Sequence, residues 1–376
     1  MIGAPGEKQH NRRNHYQAAA NPPNCFTHRP GKLFSLDADC NRTQAACCSR
    51  YDQLVNARFD ADAAQSATGV LLVRPANFGH NTQTSASNRF QRAAARSELT
   101  GRDANAQFER LVAALCAADI RVCVVDDTDE PAKPDAVFPN NWVSFHRDGT
   151  IVLYPMLAAN RRTERRMDIL DAVERTLGFQ RRRVLDFSPH ERQGRYLEGT
   201  GSLVLDHTGM VAYACRSART DEALLQQWSQ QLGFEPMLFE AVGVDGTPIY
   251  HTNVLMSIGS SWAVVCPQAI AQADRSRVLQ RLGRHRALIE ISSDSMAQFA
   301  ANILELRTHA GVMRPARRLL VLSHTAQAAL QREPQAAWET LCSSVDAVIA
   351  VDVHTIEAVG GGGVRCMLAE VPEVTL

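Results

Sequence analysis

The amino-acid sequence predicts an α/β fold in which two strands, a helix and a further strand recur along the chain. From Val70 onward, short runs of β-branched residues alternate with longer amphipathic segments. Tight turns such as Arg147-Asp148-Gly149 and Asp206-His207-Thr208-Gly209 join pairs of strands between the helices. This ββαβ order recurs about five times, whereas hairpins are rare in the plain βαβ alternation of an open parallel sheet.

Strands are predicted where short apolar runs lie between turn signals. They are Val70 to Arg74, Arg121 to Asp126, Trp142 to His146, Ile151 to Tyr154, Val184 to Phe187, Ser202 to Leu205, Met210 to Ala214, Val254 to Ser257, Trp262 to Cys266, Ala287 to Ile291, Leu319 to Leu322 and Ala347 to Val353. Helices are predicted where apolar residues recur with a period near 3.6. They are Asp103 to Ala117, Arg161 to Leu177, Thr220 to Leu232, Gln268 to Leu282 and Ala326 to Cys342.

An open, doubly wound dinucleotide-binding fold is the second choice. Such a fold carries a glycine-rich turn after its first strand, where the backbone contacts a pyrophosphate. Here Phe78-Gly79-His80 supplies one glycine instead of several. The ββαβ arrangement is therefore favoured.

Length and charge favour a small-molecule partner. The 376 residues exceed one average domain, but length alone does not separate one large domain from two. Forty basic and forty acidic side chains cancel, so no global field attracts nucleic acid or an anionic membrane. No apolar run approaches the roughly 18 residues that span a bilayer, and the N-terminus lacks the apolar region of a secretory signal. We expect a cytoplasmic protein with no nucleic-acid or membrane partner.

The cysteines do not form a disulfide framework. Ten are scattered along the chain, with Cys47 adjacent to Cys48. The sequence has no Cys-x-x-Cys pair and no His-Glu-x-x-His motif, since His190-Glu191 is followed by Arg192-Gln193-Gly194. We predict reduced thiols, no metal and no cofactor.

Residues 1 to 66 are predicted to be an extension of the domain formed by residues 67 to 376. The extension is rich in Asn, Arg, Gln, Ala and Pro and shows no sustained period, so it lacks a face to bury. It is interpreted as disordered or as the product of a start codon assigned too early. An organelle-targeting segment is a weaker alternative, because Asp37 and Asp39 interrupt it and no Arg-rich amphipathic helix is present.

The run Gly360-Gly361-Gly362-Gly363-Val364-Arg365-Cys366 is the most informative part of the chain. Consecutive glycines are useful where the backbone takes positive φ or lies directly against a ligand. Cys366 is therefore a candidate nucleophile. The alternative is a flexible turn followed by a buried core cysteine, because free cysteines are among the most buried residues.

A histidine and a glutamate are candidate partners for this thiol. A thiol needs a base or a positive environment to become a nucleophile at neutral pH. His251 stands at the start of an apolar strand and is the best candidate base; the alternative is a hydrogen-bonded histidine at a strand end. Glu198, between apolar residues and glycines, could orient the imidazole or accept a substrate N–H; the alternative is a solvated turn.

Six motifs between Val70 and the C-terminus occur together in a specific order. They are Val73-Arg74-Pro75-Ala76-Asn77-Phe78, Phe138-Pro139-Asn140-Asn141-Trp142, Arg161-Arg162-Thr163-Glu164, Leu197-Glu198-Gly199, Tyr250-His251-Thr252-Asn253 and the glycine run that ends in Cys366. In them the chain resembles the pentein superfamily, whose members modify guanidino groups and which includes arginine deiminase and dimethylarginine dimethylaminohydrolase. Within it, the chain looks most similar to the citrulline utilization hydrolases.

The resemblance implies an α/β propeller of five ββαβ units around a pseudo-fivefold axis. It also implies that Cys366 is the nucleophile, His251 the general acid and base, and Glu198 an acid that contacts the substrate. Arg161 falls where related enzymes bring an arginine to the substrate carboxylate, although Arg162 is adjacent to it. Phe138 is expected to contact the substrate as well.

Two positions depart from the pattern of arginine deiminases. Those enzymes present an aspartate after the Phe-x-x pattern and another two residues beyond the catalytic histidine, and both grip the cationic guanidinium. This sequence has Asn141 and Asn253 there. An amide offers a donor and an acceptor to a neutral ureido group, whereas a buried carboxylate facing it would be an uncompensated charge. The alternative is that Asp135 or Glu198 holds a cation in a reorganised pocket.

The sequence therefore predicts a hydrolase that converts citrulline to ornithine, ammonia and carbon dioxide through an S-carbamoyl enzyme. An arginine deiminase or dihydrolase, or an amidinotransferase, is the main alternative. A non-catalytic binding protein on the same propeller is a further one, although a binding protein has no need for the Cys, His and Glu at separate motifs. The sequence is compatible with a homodimer.

Overall fold

Five three-stranded sheets form the part of the chain that the computed structural model describes, which is residues 65–92, 97–310 and 315–374. In every sheet the first strand pairs antiparallel with the second, and the second pairs parallel with the third. A short turn suffices for the antiparallel pair, while the parallel pair needs a helical crossover. The five ββαβ units predicted from the sequence are thus confirmed.

The strands and helices have the following bounds. The strands are β1 Gly69–Arg74, β2 Arg121–Asp126, β3 Val143–Phe145, β4 Thr150–Leu153, β5 Arg183–Asp186, β6 Val204–Asp206, β7 Val211–Cys215, β8 Glu235–Phe239, β9 Met256–Ile258, β10 Trp262–Val265, β11 Ala287–Glu290, β12 Leu304–Arg307, β13 Arg318–Ser323, β14 Ala347–Val351 and β15 Ala369–Val371. The α-helices are α1 Thr82–Ser85, α2 Ser97–Ala117, α3 Met167–Leu177, α4 Gly199–Ser202, α5 Glu222–Leu232, α6 Gln272–Leu282, α7 Ser293–Met296, α8 His324–Leu330 and α9 Gln335–Ser343.

The units follow one another around a common centre. The first strands of neighbouring units contact each other, as β15 does with β3, β6 with β9, and β9 with β12. The last strand, β15, pairs antiparallel with β1, so that Val70 faces Glu370, and β1 pairs parallel with β2. The two ends of the described chain therefore complete one unit together, which closes the ring.

Each long helix covers its sheet with an apolar face, as α5 illustrates. Leu224, Leu225 and Trp228 are fully buried in the core shared with the neighbouring strands. The Asp221 side chain caps the helix by accepting from the backbone N–H of Leu224, and Gly233 ends it in the left-handed conformation. Full burial of a leucine side chain stabilises a fold by about 1.5–3 kcal/mol, so this face fixes the helix on its sheet.

Several predicted boundaries were wrong for identifiable reasons. The helix predicted over Ala326 to Cys342 is two helices, because Pro334 cannot continue α8 and α9 begins directly after it. The helix predicted from Arg161 begins only at Met167, after a 3₁₀ segment at Ala159–Glu164. The predicted strand from Ser202 begins at Val204, since Ser202 ends α4.

Three strands were missed: β8, β12 and β15. Pro236 lies within β8, and prolines usually argue against a strand. In β12, Glu305 is buried although it is charged, and its carboxylate accepts from the Trp262 indole at 2.7 Å. β15 has only three residues, fewer than a periodic pattern needs.

Most of the predicted extension, residues 1–64, lies outside the described residues. Gln65 and Ser66 are buried, and the Gln65 side chain donates to the backbone oxygen of Leu205 at 3.0 Å. The domain boundary near residue 66 stays a prediction. Within the described ranges, none of the helices has the length and apolar character needed to cross a membrane.

Candidate active site

A turn precedes the first strand of each unit. These turns lie together at one end of the five first strands, β3, β6, β9, β12 and β15, which we call the central strands. They are the 3₁₀ turns Pro139–Asn141, Thr252–Val254 and Val364–Met367, the short helix α4, and the turn closed by the Asn302 N–H on the Phe299 carbonyl at 2.8 Å. The α4 turn contacts Pro139–Asn141 and Thr252–Val254, and Pro139–Asn141 contacts Val364–Met367. Side chains from motifs far apart in the sequence therefore meet here. We call these segments the pre-strand turns.

A cavity of about 10 Å³ lies between the turns Pro139–Asn141 and Val364–Met367, the glycine run and the segment Asn88–Gln91. Five of the predicted site residues line it: Phe138, Asn141, Arg161, His251 and Cys366. Glu198 and Asn253 are also buried and lie directly behind this lining, where they contact His251 and Cys366 respectively. The structure thus brings all seven predicted residues into one cluster. A larger open depression of about 1050 Å³ near Phe78 contains none of them.

Cys366 lies in the last pre-strand turn and is 5% exposed. Its Sγ accepts from Nδ2 of Asn302 at 3.2 Å and from Nδ2 of Asn253 at 3.6 Å. Burial raises the pKa of the Cys366 thiol, while the Asn302 hydrogen bond and the positive charge of Arg365 oppose that rise. Both amides would stabilise the thiolate once it forms.

The glycine run before Cys366 fits closely against its surroundings. A Cβ atom at Gly360 or Gly362 would lie 2.8 Å or 2.9 Å from the Phe138 ring. Gly361 has φ of 67°, which non-glycine residues rarely adopt. The backbone of Gly360 and Gly362 therefore packs directly against the Phe138 ring, which also lines the cavity. A side chain at these positions would displace the loop that carries the sulfur.

His251 and Glu198 form a buried hydrogen-bonded pair. Nε2 of His251 donates to Oε2 of Glu198 at 2.8 Å when the ring is in that tautomer, which leaves Nδ1 as its acceptor. Burial lowers the pKa of His251 to about 4, against the opposing effect of Glu198. The imidazole is therefore neutral at pH 7 and can take a proton.

Glu198 stays ionised in spite of complete burial. Burial alone would raise the pKa of Glu198, but Arg219 and the hydrogen bond to His251 outweigh it and hold that pKa well below its usual range. Nη1 of Arg219 donates to Oε2 at 3.2 Å, and the backbone N–H of Leu157 donates to Oε1 at 3.0 Å. The carboxylate can thus orient His251 and stabilise an imidazolium.

The Arg161 guanidinium already donates hydrogen bonds to several protein groups. Its Nε and Nη2 each donate to the Glu164 carboxylate at 2.9 Å, and Nη2 also donates to the Phe138 carbonyl at 3.2 Å. Nη1 donates to Oδ1 of Asn141 at 2.8 Å. A contact between Arg161 and a substrate carboxylate stays a prediction, and it would require Arg161 to use its remaining Nη1 hydrogen or to release a partner.

The hydrogen bond from Arg161 fixes the orientation of the Asn141 amide. Because Arg161 only donates, Asn141 must present its oxygen to it and its NH₂ group to the other side. Among the described residues, Nδ2 of Asn141 is buried and has no hydrogen-bond partner. The amide therefore offers a free N–H donor at the cavity.

Sequence reasoning missed Arg219 and Asn302 as site residues and considered Asp135 only as an alternative. Arg219 and Asp135 line the cavity, and Oδ1 of Asp135 is buried with no partner in the described part of the chain. Asn302 contacts the sulfur. A solitary Arg or Asn gives no signal, but Asn141, Asn253 and Asn302 share one position, an asparagine followed by two apolar residues before or at a first strand.

No group of three or more His, Cys, Asp and Glu side chains in residues 65–92, 97–310 and 315–374 is arranged to hold a metal ion. The groups that the site presents are a buried thiol, a neutral imidazole and an ionised carboxylate.

Solved structures share this fold. The N-terminal domain of ArgZ, an arginine dihydrolase from the ornithine–ammonia cycle in cyanobacteria, aligns with a TM-score of 0.61 at 16% identity over 82% of this chain and 99% of that chain, in its complex with substrate. The ternary complex of AgrE with ornithine and NAD⁺ aligns with a TM-score of 0.60 at 17% identity over 82% of this chain and 39% of that chain. An adduct of dimethylarginine dimethylaminohydrolase with S-methyl-L-thiocitrulline aligns at 0.55 and 14% identity over 81% and 99%.

The family assignment comes from the sequence. No curated protein matches the chain. The model of the family described as N,N dimethylarginine dimethylhydrolase, eukaryotic, matches residues 74–373, which is most of the chain. The chain therefore belongs to the N,N-dimethylarginine dimethylhydrolase family, within the pentein superfamily of guanidino-group-modifying proteins.

Proposed function

We propose that the protein is a cysteine-dependent hydrolase that acts on the ureido group of citrulline and releases ornithine, ammonia and carbon dioxide. Membership of its family and the cluster of Cys366, His251 and Glu198 support a hydrolase of the guanidino-modifying kind. The observation that supports a ureido substrate is the free N–H of Asn141 at the cavity, where a carboxylate would be needed to grip a guanidinium.

The amides distinguish a neutral from a cationic headgroup by their donors. Asn141 offers Nδ2, and Nδ2 of Asn253 already donates to the Thr200 carbonyl at 3.1 Å and to the sulfur. A ureido oxygen accepts such donors, whereas a guanidinium has only donors of its own and would leave them unpaired. The Nδ2 donor of Asn141, which has no partner among the described residues, therefore favours citrulline.

In the proposed first half-reaction, the Cys366 thiol gives its proton to Nδ1 of His251. The thiolate attacks the ureido carbon, and the C–O double bond opens so that the oxygen takes a negative charge beside Asn141. The bond between that carbon and the δ-nitrogen then breaks while the His251 imidazolium protonates the nitrogen. Ornithine leaves as an amine, and an S-carbamoyl enzyme remains. Glu198 stabilises the imidazolium throughout.

In the second half-reaction, His251 takes a proton from water and the hydroxide attacks the carbamoyl carbon. The carbon–sulfur bond breaks, and the thiolate or thiol of Cys366 is restored. The released carbamate decomposes to ammonia and carbon dioxide. If an amine attacked the S-carbamoyl carbon in place of water, the enzyme would be a transferase. Exclusion of amines from the cavity therefore decides between hydrolysis and transfer.

A guanidino substrate is the second candidate because of Asp135. Its Oδ1 is buried and has no hydrogen-bond partner in the described part of the chain, and Asp135 lines the cavity, so a cation could be held there. Oδ2 already accepts from Asn81 at 2.8 Å and Thr84 at 3.0 Å, which fixes the carboxylate. An arginine deiminase, a dihydrolase or an amidinotransferase would use this acid for the guanidinium, while a ureidase would use it for the α-ammonium group.

A substrate panel separates the two candidates. The purified protein is incubated with citrulline, arginine, agmatine, dimethylarginine and succinylarginine, and both ammonia and the amine product are measured. Ornithine and ammonia from citrulline are expected. Turnover of arginine without turnover of citrulline would assign the second candidate. Gel filtration of the same sample tests the predicted homodimer, and fractionation of cells tests the predicted cytoplasmic location.

A further inference from the structure

Asn302 occupies the place in the unit of β12, β13 and β14 that other site residues occupy in their own units. It lies two residues before β12, as Asn141 lies two before β3, and Asn253 and Cys366 lie three before β9 and β15. The four residues belong to pre-strand turns of different units. Asn302 therefore corresponds in position to the site residues that the other units provide.

The amide of Asn302 has one possible orientation. Its Nδ2 donates to the backbone carbonyl of Asn253 at 3.1 Å, and a carbonyl only accepts, so the NH₂ group must face it. The second hydrogen of the same group faces Sγ of Cys366 at 3.2 Å. Asn302 is 1% exposed, and Phe299, which starts the turn, adopts φ of 61°. Both hydrogens of the Asn302 NH₂ group are therefore engaged, one with the Asn253 carbonyl and one with the Cys366 sulfur.

The other side of the amide is left without a hydrogen bond. Oδ1 of Asn302 is buried and has no partner among the described residues. It packs on Gly363, where a Cβ atom would lie 2.7 Å from it. An unpaired buried carbonyl destabilises a fold, because its oxygen loses the hydrogen bonds that water would make. An apolar residue would avoid this loss, but it would make neither the hydrogen bond to the Asn253 carbonyl nor the one to the Cys366 sulfur.

We propose that Asn302 is a positioning residue that holds the Cys366 sulfur and stabilises its thiolate through this N–H. The proposal rests on Cys366 being the nucleophile of the function proposed above. Hydrogen bonds strengthen when the acceptor is ionised, and the donor is shielded from water here. Asn302 also donates a hydrogen bond to the backbone carbonyl of Asn253. It therefore connects the Cys366 sulfur to the turn that follows His251.

The pH dependence of alkylation of Cys366 by iodoacetamide tests the proposal without any substrate. Modification is followed on the peptide that contains Cys366, which separates it from the other cysteines. For Asn302→Ala we expect the midpoint to rise by about one pH unit, which means roughly tenfold slower alkylation below the midpoint. Asn302→Asp keeps the shape but loses the donor and adds a charge, so its midpoint should rise further.

Asn105→Ala is the matched control. Asn105 also has a buried oxygen without a partner in the described residues, and it lies outside the cavity. Its midpoint should equal that of the wild type. A midpoint unchanged in both Asn302 variants would overturn the proposal, and Asn302→Asp decides alone if Asn302→Ala does not fold. If the midpoint shifts as expected but the wild type does not hydrolyse citrulline, only the substrate assignment fails.

Discussion

At the scale of single residues, Gly201 sets the space available to two side chains of the site. A Cβ atom there would lie 2.4 Å from Nδ2 of Asn141 and 2.8 Å from Nδ1 of His251. Both atoms belong to groups that the proposed mechanism uses, one as a donor and one as a base. A side chain at this position would therefore displace the Asn141 amide or the His251 ring.

We predict that Gly201→Ala lowers kcat/KM for citrulline by roughly a hundredfold while the protein stays folded. An extra methyl group in a packed interior costs about 1–3 kcal/mol, and here the strain falls on the imidazole and the amide. A displacement of about 1 Å in a catalytic group is enough for a loss of this size. The measurement is steady-state kinetics together with thermal unfolding of the same samples.

Gly101→Ala serves as the control for that substitution. Gly101 lies inside helix α2, and a Cβ atom there would meet only the Phe78 carbonyl oxygen at 3.9 Å. Alanine is the better helix former, so this variant should keep its activity and gain a little stability. Equal activity of the two variants would contradict the assignment of a role to the space beside Gly201.

The residues that the sequence predicted for the site are those inside recognisable motifs. Cys366 follows four glycines, and His251 and Asn253 share one motif. Arg219 and Asn302 were missed because their partners are distant in sequence: Arg219 pairs with Glu198, and Asn302 with Cys366. A side chain that functions only through such long-range contacts leaves no local pattern. The catalytic and substrate-binding roles of the seven predicted residues stay predictions.

At the scale of elements, the segment from Asn81 to Arg92 contributes Asn88 and Gln91 to the lining of the cavity. Nε2 of Gln91 donates to the Gly360 carbonyl at 3.0 Å, and Asn88 donates to Gly361 at 3.3 Å. A cavity of about 10 Å³ holds no more than one water molecule. We therefore expect these contacts to open when an amino acid binds beside Cys366.

An exposed ion pair between Arg89 and Asp245 fastens this segment to the neighbouring loop. Exposed pairs contribute about 0–1 kcal/mol, so their loss shifts an opening equilibrium by at most about fivefold. We predict that Asp245→Ala accelerates alkylation of Cys366 by iodoacetamide about two- to fivefold at constant pH. Glu222→Ala removes the similarly exposed pair with Arg216 and should leave the rate unchanged. An Asp245→Ala rate equal to the wild-type rate would show that the pair does not restrain the segment.

Elements were predictable where burial follows a simple period. The apolar runs of β7, β10 and β13 and the amphipathic face of α5 gave clear signals. β12 did not, because its buried Glu305 breaks the apolar run that a central strand usually shows. Its carboxylate is satisfied by Trp262 and Ser260, which are distant in sequence. Tertiary contacts, and not local propensity, make this segment a strand.

At the scale of the whole molecule, buried neutral histidines connect stability to pH. Burial lowers the pKa of both His146 and His251 to about 4, and it lowers the pKa of His207 to the same value. The pKa of a histidine in an unfolded chain is about 6.5. Between these values the unfolded chain binds more protons than the folded protein, so the free energy of unfolding falls as the pH falls.

We predict that the protein loses stability between about pH 6.5 and pH 4, by about 1.4 kcal/mol per pH unit for each such histidine at most. Glu164 opposes part of this loss, because burial raises its pKa to about 7 and the folded protein then holds a proton that the unfolded chain does not. Glu198 contributes little in this window, because the stability from its lowered pKa is lost only below its ordinary value of 4.5. Urea unfolding across the pH range measures the slope. His146→Gln should reduce it, and an identical slope in that variant would rule out His146 as a source.

The five-unit architecture was predictable because hairpin, helix and strand recur in order, and the structure confirms it. The ring closure by β15 was not, since three residues at the end of the chain carry no period. Pseudosymmetry now explains why the site residues come from separate motifs. Each pre-strand turn carries its side chains to the same end of the central strands, and the ring brings those turns together.

Ornithine release from citrulline by the wild type and by Cys366→Ala, measured side by side, tests the central proposal most directly. We expect equal amounts of ornithine and ammonia from the wild type. We expect a rate lower by roughly four orders of magnitude or more for the variant, because the covalent step is lost. Ornithine release by Cys366→Ala at the wild-type rate, or none from the wild type, would contradict it.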